Sequence, residues 1–151
     1  MTRKRVVVTG LGMLSPVGSN VTSSWNNIIE GSSGVKAIDK FDTSEFETKF
    51  AATVDINTEN HLDKKETRRT DHFIQFGLIA SKECLDDSKI DLESIDLNRF
   101  GVSIGSGIGG LGTIEGNKTI LSERGPKKIS PFFVPGAISV SYTHLRAHET
   151  S

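Results

Sequence analysis

Val6-Val7-Val8-Thr9-Gly10-Leu11-Gly12-Met13-Leu14-Ser15-Pro16-Val17-Gly18 is the stretch on which the fold turns. Arg5 to Thr9 is a short β-branched run that reads as a buried, parallel strand ending at Gly10. Gly10 to Gly18 reads as a tight loop, because glycine admits positive φ and Pro16 stops the strand. Ser19 or Asn20 then caps a helix carrying Val21, Trp25, Ile28 and Ile29, closed by Gly31. Strand, glycine loop and helix together open an α/β layer structure.

Outward from that opening, Phe46 to Val54 is a second strand candidate and Lys64 to Arg69 is strongly charged. Thr70 is the expected N-cap of a long helix, about Asp71 to Asp86. Phe73, Phe76, Gly77, Ala80 and Cys84 fall on one face of it, and Ile74, Leu78 and Leu85 widen that face. The helix is therefore predicted to be buried on most sides. Asp86 to Asn98 is a polar connection, Phe100 to Ile104 a further strand, and Gly105-Ser106-Gly107-Ile108-Gly109-Gly110 a loop before a helix at about Leu111 to Glu123. A basic turn, Arg124 to Lys128, leads into Ile129-Ser130-Pro131-Phe132-Phe133-Val134-Pro135. There is no internal repeat.

Composition narrows the function. With 151 residues there is room for one ordinary domain. Lys+Arg 18 against Asp+Glu 19 leaves a net charge of −1, which excludes an overall basic nucleic-acid binder and a highly charged disordered tail. No apolar run approaches the roughly 20 residues that span a bilayer, and the amino terminus has no secretion-signal pattern. The single cysteine permits neither an internal disulfide nor a CxxC zinc site, so the expectation is a soluble protein of a reducing compartment. Residues 140–151, Val140 to Ser151, have neither helix caps nor strand alternation. They look like a translated adaptor or vector read, a non-native tail outside the domain proper at 1–139; a native tail is the alternative.

Several residues invite a chemical reading. Gly105-x-Gly107-x-x-Gly110 fits a pyrophosphate-cradling loop literally. A dinucleotide site also wants an acidic residue at a strand end about 20 residues on. Glu123 has that spacing but precedes the basic turn. The other reading is that these glycines let the backbone pass close to another segment. A short-chain dehydrogenase pattern fails at Leu14 and Pro16, where its later glycines belong, and at Tyr142, which is followed by Arg146 in the suspect tail. Cys84 lies mid-helix on the apolar face, which fits a packed thiol and not a nucleophile. His144 and His148 form H-x-x-x-H in the tail without a third ligand, and His61 and His72 read as surface residues. Lys64, Lys65, Arg68 and Arg69 share a helical face, and Lys127 with Lys128 makes a second basic point. Such clusters suit an acidic or phosphorylated partner, or are ordinary solvated charge, since Asp63 and Glu66 are interleaved.

Taken in order, the motifs become specific. Val6 to Gly18, Phe41-Asp42-Thr43-Ser44, Asp71-x-Phe73-Ile74-Gln75-Phe76-Gly77, Ile104 to Gly112 and Gly125 to Pro135 together resemble the amino-terminal region of the β-ketoacyl-[acyl-carrier-protein] synthases of the elongating type II class, over about residues 3–139. The resemblance implies a thiolase-like α/β fold, with layered βαβαβ halves in a homodimer. It implies a decarboxylative Claisen condensation of malonyl- with acyl-carrier protein in fatty-acid elongation, in the cytoplasm. No metal, nucleotide or other cofactor is implied, and no nucleic acid or membrane partner.

The resemblance also implies that Ile108 lines the acyl-chain pocket and that Phe133 reaches a partner's pocket across the dimer interface. It implies that Lys65, Arg68, Arg69, Lys127 and Lys128 receive the acidic acyl carrier protein. The nucleophilic cysteine and two histidines of the family have no counterpart in these residues. The chain then reads as the first third of such a synthase, inactive by itself, with sheet edges and apolar faces left bare. The alternative is a non-catalytic, chain-length-factor-like or carrier-binding module.

Overall fold

The computed structural model describes residues 4–138. The tail residues Tyr142, His144, Arg146 and His148 lie outside the described residues. Two units divide the chain: residues up to Asn57 with Ala80–Lys89, and Thr58–Ile79 with the residues from Ile90 onward.

In the first unit, Arg5 to Thr9 forms no strand. A β-branched run has the propensity, but a strand exists only when its N–H and C=O groups find ladder partners. Among the described residues the only ladder joins two other segments, and Val6 is 94 % exposed. The loop that follows forms as expected. Ser15 and Gly18 close a tight turn around Pro16 and Val17 with paired backbone bonds of 2.9 and 3.2 Å. Helix α1, Val21–Ile29, starts at Asn20, whose side chain accepts from the Ser23 N–H at 2.7 Å, while the Ser23 hydroxyl answers the Asn20 N–H at 3.2 Å. That reciprocal box satisfies two amide donors a helix start leaves free. Past the helix, Gly31 takes the expected left-handed turn at φ 73°. Trp25, Ile28 and Ile29 on α1 are exposed, and the buried residue is Ser24, hydroxyl to hydroxyl with Ser15 at 2.9 Å. Strand β1, Val35–Ala37, pairs antiparallel with β2, Phe50–Ala52. The second lies inside the expected 46–54 window; the first had no sequence signal.

The second unit begins with a 3₁₀ turn, Thr58–Asn60, and helix α2, Lys64–Arg69. Asp63 caps α2 through the amides of Lys65 and Glu66 at 2.7 and 2.8 Å. Helix α3, His72–Ser88, follows, its first residues in this unit and its remainder in the first; Thr70, the expected cap of α3, instead closes α2 with its N–H on the Glu66 carbonyl at 3.1 Å, and Asp71 stands before α3. The predicted apolar face is corrected here. Ile74 and Leu78 are the fully packed pair, set against Leu62, Phe73 and Ile104, whereas Phe73, Phe76, Gly77, Ala80 and Cys84 are half-buried. Each fully packed aliphatic side chain stabilises by about 1.5–3 kcal/mol. Phe100 to Ile104 is likewise not a strand; Ile104 packs on the core without a ladder partner. Helices α4, Leu111–Arg124, and α5, Phe133–Ala137, complete the unit, with a 3₁₀ turn at Pro126–Lys128 between them. Among the described residues no helix is long and apolar enough to cross a membrane.

Candidate functional site

The glycine loop before α4 can be judged atom by atom. Gly109 has φ 87°, and a Cβ there would stand 2.7 Å from the Ala137 carbonyl oxygen. A Cβ on Gly110 would stand 2.9 Å from the Asp71 carboxylate. Gly105 and Gly107 face open space. Close backbone approach therefore explains the second half of the motif and not the first. The helix amide a phosphate would need is already used. Thr113 donates its N–H to Asp71 Oδ2 at 3.0 Å and its hydroxyl to the same oxygen at 2.7 Å. A carboxylate where a pyrophosphate would sit repels it, so the dinucleotide reading is set aside.

Ile108 stands at the bend of this loop and is 73 % exposed. Directly after it, the Gly110 N–H donates to the Ala137 carbonyl at 3.0 Å. Ala137 closes α5, the helix that begins at Phe133. The structure thus brings the Ile108 loop onto the element that carries Phe133, which is half-buried.

The basic residues are all exposed: Lys65, Arg68 and Arg69 on α2, Lys127 and Lys128 in the turn after α4. Acidic Asp63 and Glu66 lie in the first turn of α2 and its cap, while Arg68 and Arg69 lie in its last turn, the order that suits a helix dipole. Arg69 is not a free cation, since its guanidinium lies over the Phe132 ring at 4.6 Å. Sequence reasoning missed what holds α2. Gln75, 3 % exposed, accepts from the Thr58 hydroxyl at 2.5 Å and donates to the Thr67 and Thr70 carbonyls at 3.0 and 2.7 Å. The last carbonyls of the basic helix are thereby satisfied by a buried amide from α3. The only available signal was a lone polar residue beside the apolar positions of α3.

Cys84 is half-buried, with Sγ 3.4 Å from the Gly10 carbonyl, in the middle of a helix and far from the amide end that would make a thiolate. His61 and His72 are exposed, and among the described residues no cluster of histidine, cysteine and carboxylate groups suits a metal ion.

Comparison with known proteins places this geometry. The model of the β-ketoacyl synthase N-terminal domain matches residues 3–145, and the chain belongs to the β-ketoacyl synthase family. It is 50 % identical over 139 residues to 3-oxoacyl-[acyl-carrier-protein] synthase 2 of Vibrio harveyi and 47 % identical to that of Coxiella burnetii, covering 91 % of this chain and 34 % of each relative. The Staphylococcus aureus (strain COL) protein of the same name is 43 % identical over 133 residues, 87 % of this chain and 32 % of its own. The chain thus spans about a third of the length of these relatives. Among solved structures, a type II PKS acyl-carrier protein in complex with its ketosynthase aligns with a TM-score of 0.80 at 25 % identity, over 99 % of this chain and 40 % of the matched one. A β-ketoacyl synthase from Burkholderia phymatum aligns with a TM-score of 0.76 at 23 % identity, over 98 % of this chain and 37 % of its own. The fold is the thiolase-like α/β fold, present here in part, with one two-stranded ladder among the described residues.

Proposed function

We propose that this chain is the amino-terminal part of a 3-oxoacyl-[acyl-carrier-protein] synthase of the type 2 elongating class, an acyltransferase of fatty-acid synthesis. The identity of 43–50 % to curated synthases of that name carries the reading. In the complete enzyme an acyl group passes from its carrier-protein thioester to an enzyme cysteine thiolate. Malonyl-carrier protein loses CO₂, and the resulting carbanion attacks the acyl thioester carbon. The carbon–carbon bond forms, the cysteine leaves as thiolate, and 3-oxoacyl-carrier protein departs. The thiolate is activated at a helix amino terminus and the developing oxyanion is held by fixed donors. Cys84, mid-helix and bonded to a backbone carbonyl, meets neither requirement.

What these residues supply is a pocket wall and a landing surface. Ile108, on a loop anchored to α5, limits the acyl chain, and Phe133 reaches the pocket of the second subunit in a homodimer. Lys65, Arg68, Arg69, Lys127 and Lys128 receive the acidic acyl carrier protein through exposed charge that steers encounter. The complex of a carrier protein with its ketosynthase among the structural neighbours supports such a partner.

The test is acyl transfer from a labelled acyl-carrier protein. The complete synthase is expected to take up one acyl group per subunit on a cysteine other than Cys84, and this chain alone none. Stoichiometric acylation of Cys84 in this chain would overturn the assignment. A complete protein that binds the carrier protein yet takes up no acyl group would instead be a chain-length-factor-like module.

A further inference from the structure

Asp71, immediately before α3, holds more of the second unit together than a helix start requires. Its Oδ2 accepts both the N–H and the hydroxyl of Thr113, at 3.0 and 2.7 Å. Thr113 is the third residue of α4, whose cap position is Gly110 and has no side chain to offer. The carboxylate does for α4, from 42 residues away, what an N-cap does locally, and its charge suits that end of the helix dipole. The main chain closes the same junction. The Asp71 N–H points to the Gly136 carbonyl at 3.4 Å, and the Gly110 N–H to the Ala137 carbonyl at 3.0 Å. Asp71 therefore joins the start of α3 to α4 and to the end of α5, and the Gly110–Ala137 bond ties the loop leading into α4 to that same end.

Ile108 sits where this anchoring stops. Upstream of it, a Cβ on Gly105 or Gly107 would meet nothing within 4 Å, so the backbone there is not pressed against another segment. Downstream, Gly109 and Gly110 are pressed against Ala137 and Asp71. Among the described residues, the bend is tied locally by the Gly109 N–H to the Ser106 hydroxyl and by the Leu111 N–H to the Gly109 carbonyl, both at 3.1 Å. The position of Ile108 is thus set by the anchor after it.

We propose that Asp71 is a positioning residue that determines acyl-chain specificity, holding the Ile108 turn against the Phe133 helix so that its loss changes which chain lengths are accepted. The inference rests on the synthase reading given above. It separates Asp71 from the basic residues of α2, which govern docking.

The experiment is carried out in the complete synthase with acyl-carrier proteins bearing short, medium and long chains. Asp71→Ala is expected to change the ratio of long- to short-chain kcat/KM by roughly fivefold or more, through kcat, with KM for the carrier protein within about twofold of wild type. Asp71→Asn keeps an acceptor oxygen for Thr113 and is expected to restore most of that ratio. A purely structural residue would instead depress every chain length by the same factor, and that uniform loss overturns the proposal. If Asp71→Ala does not fold, Thr113→Val, which deletes the 2.7 Å hydroxyl bond and keeps the helix backbone, is read by the same criterion. The synthase reading fails differently: the wild-type protein would then elongate no primer of any length.

Discussion

Two glycine loops of this protein look alike in sequence and are held by different means. Gly10 to Gly18 leads into α1 and Gly105 to Gly110 into α4, and each meets a carboxylate of α3 or its cap. In the first loop the Leu11 N–H donates to Asp87 and the Met13 N–H to Glu83, both at 2.9 Å, and Glu83 also accepts from the Val21 N–H at 2.8 Å. A Cβ on Gly10 or Gly12 would collide with the Cys84 or Ala80 carbonyl. That loop is fixed along its length, and α1 has its own cap in Asn20. In the second loop a Cβ on Gly105 or Gly107 would meet open space, α4 has no cap side chain of its own, and Asp71 supplies the carboxylate. The lesson is that a glycine-rich loop before a helix is not one device. The first uses absent side chains to pack backbone on backbone, and the second has room for a side chain at half of its glycines and depends on one distant acid.

The sharpest way to break this comparison is Gly12→Ala in the complete synthase. With no room beside the Ala80 backbone, the change is expected to cost about 4 kcal/mol or more, read as a collapse of the urea midpoint. Gly107→Ala meets open space and should change the unfolding free energy by no more than about 0.5 kcal/mol. Equal costs at the two positions would erase the distinction.

Gln75→Glu comes next. It sets a carboxylate against the Thr67 and Thr70 carbonyls in a buried site, and a loss of about 3 kcal/mol is expected at neutral pH. The loss should shrink in acid, where the new carboxyl is protonated, and an unchanged midpoint across pH would contradict the hydrogen-bond account.

Reversing Lys65 and Arg68 to Glu is expected to weaken carrier-protein binding about tenfold at low salt, with the deficit narrowing as salt screens exposed charge. A titration showing no salt dependence would remove the docking assignment. Asn20→Ala, which deletes a cap from a helix start that also has Glu83, is expected to cost about 1 kcal/mol in thermal unfolding.

The smallest effect belongs to Asp42. The Ser44 N–H and then the Ser44 hydroxyl, each at 2.9 Å, hold its carboxyl below the ordinary carboxylate value. A depressed carboxyl contributes its stabilisation above the unfolded value of 3.8 and loses it as pH falls through the folded value. Carbon-detected NMR of Asp42 should therefore show a midpoint under 3.8; one above it would contradict the turn geometry.

The ends of α1 were legible from the residues because their physics is local: Asn20 and Ser23 are three apart, and Gly31 takes positive φ just past the helix. The start of α3 was misplaced, because Thr70 closes α2, whose own cap, Asp63, read only as interleaved charge. The ordered motifs from Val6 to Pro135 sufficed for the family. Strands were not legible in the same way. Val6 to Val8 and Phe100 to Ile104 have the right residue types, but a ladder needs partners, and among the described residues only β1 and β2 provide them. Periodicity likewise marked α3 as apolar without choosing Ile74 and Leu78 as its packed face, since that choice belongs to Leu62, Phe73 and Ile104. The tertiary structure alone decided that the second glycine loop packs against a carboxylate. Asp71 and Thr113 are 42 residues apart, and no local pattern encodes which distant acid will meet an uncapped helix.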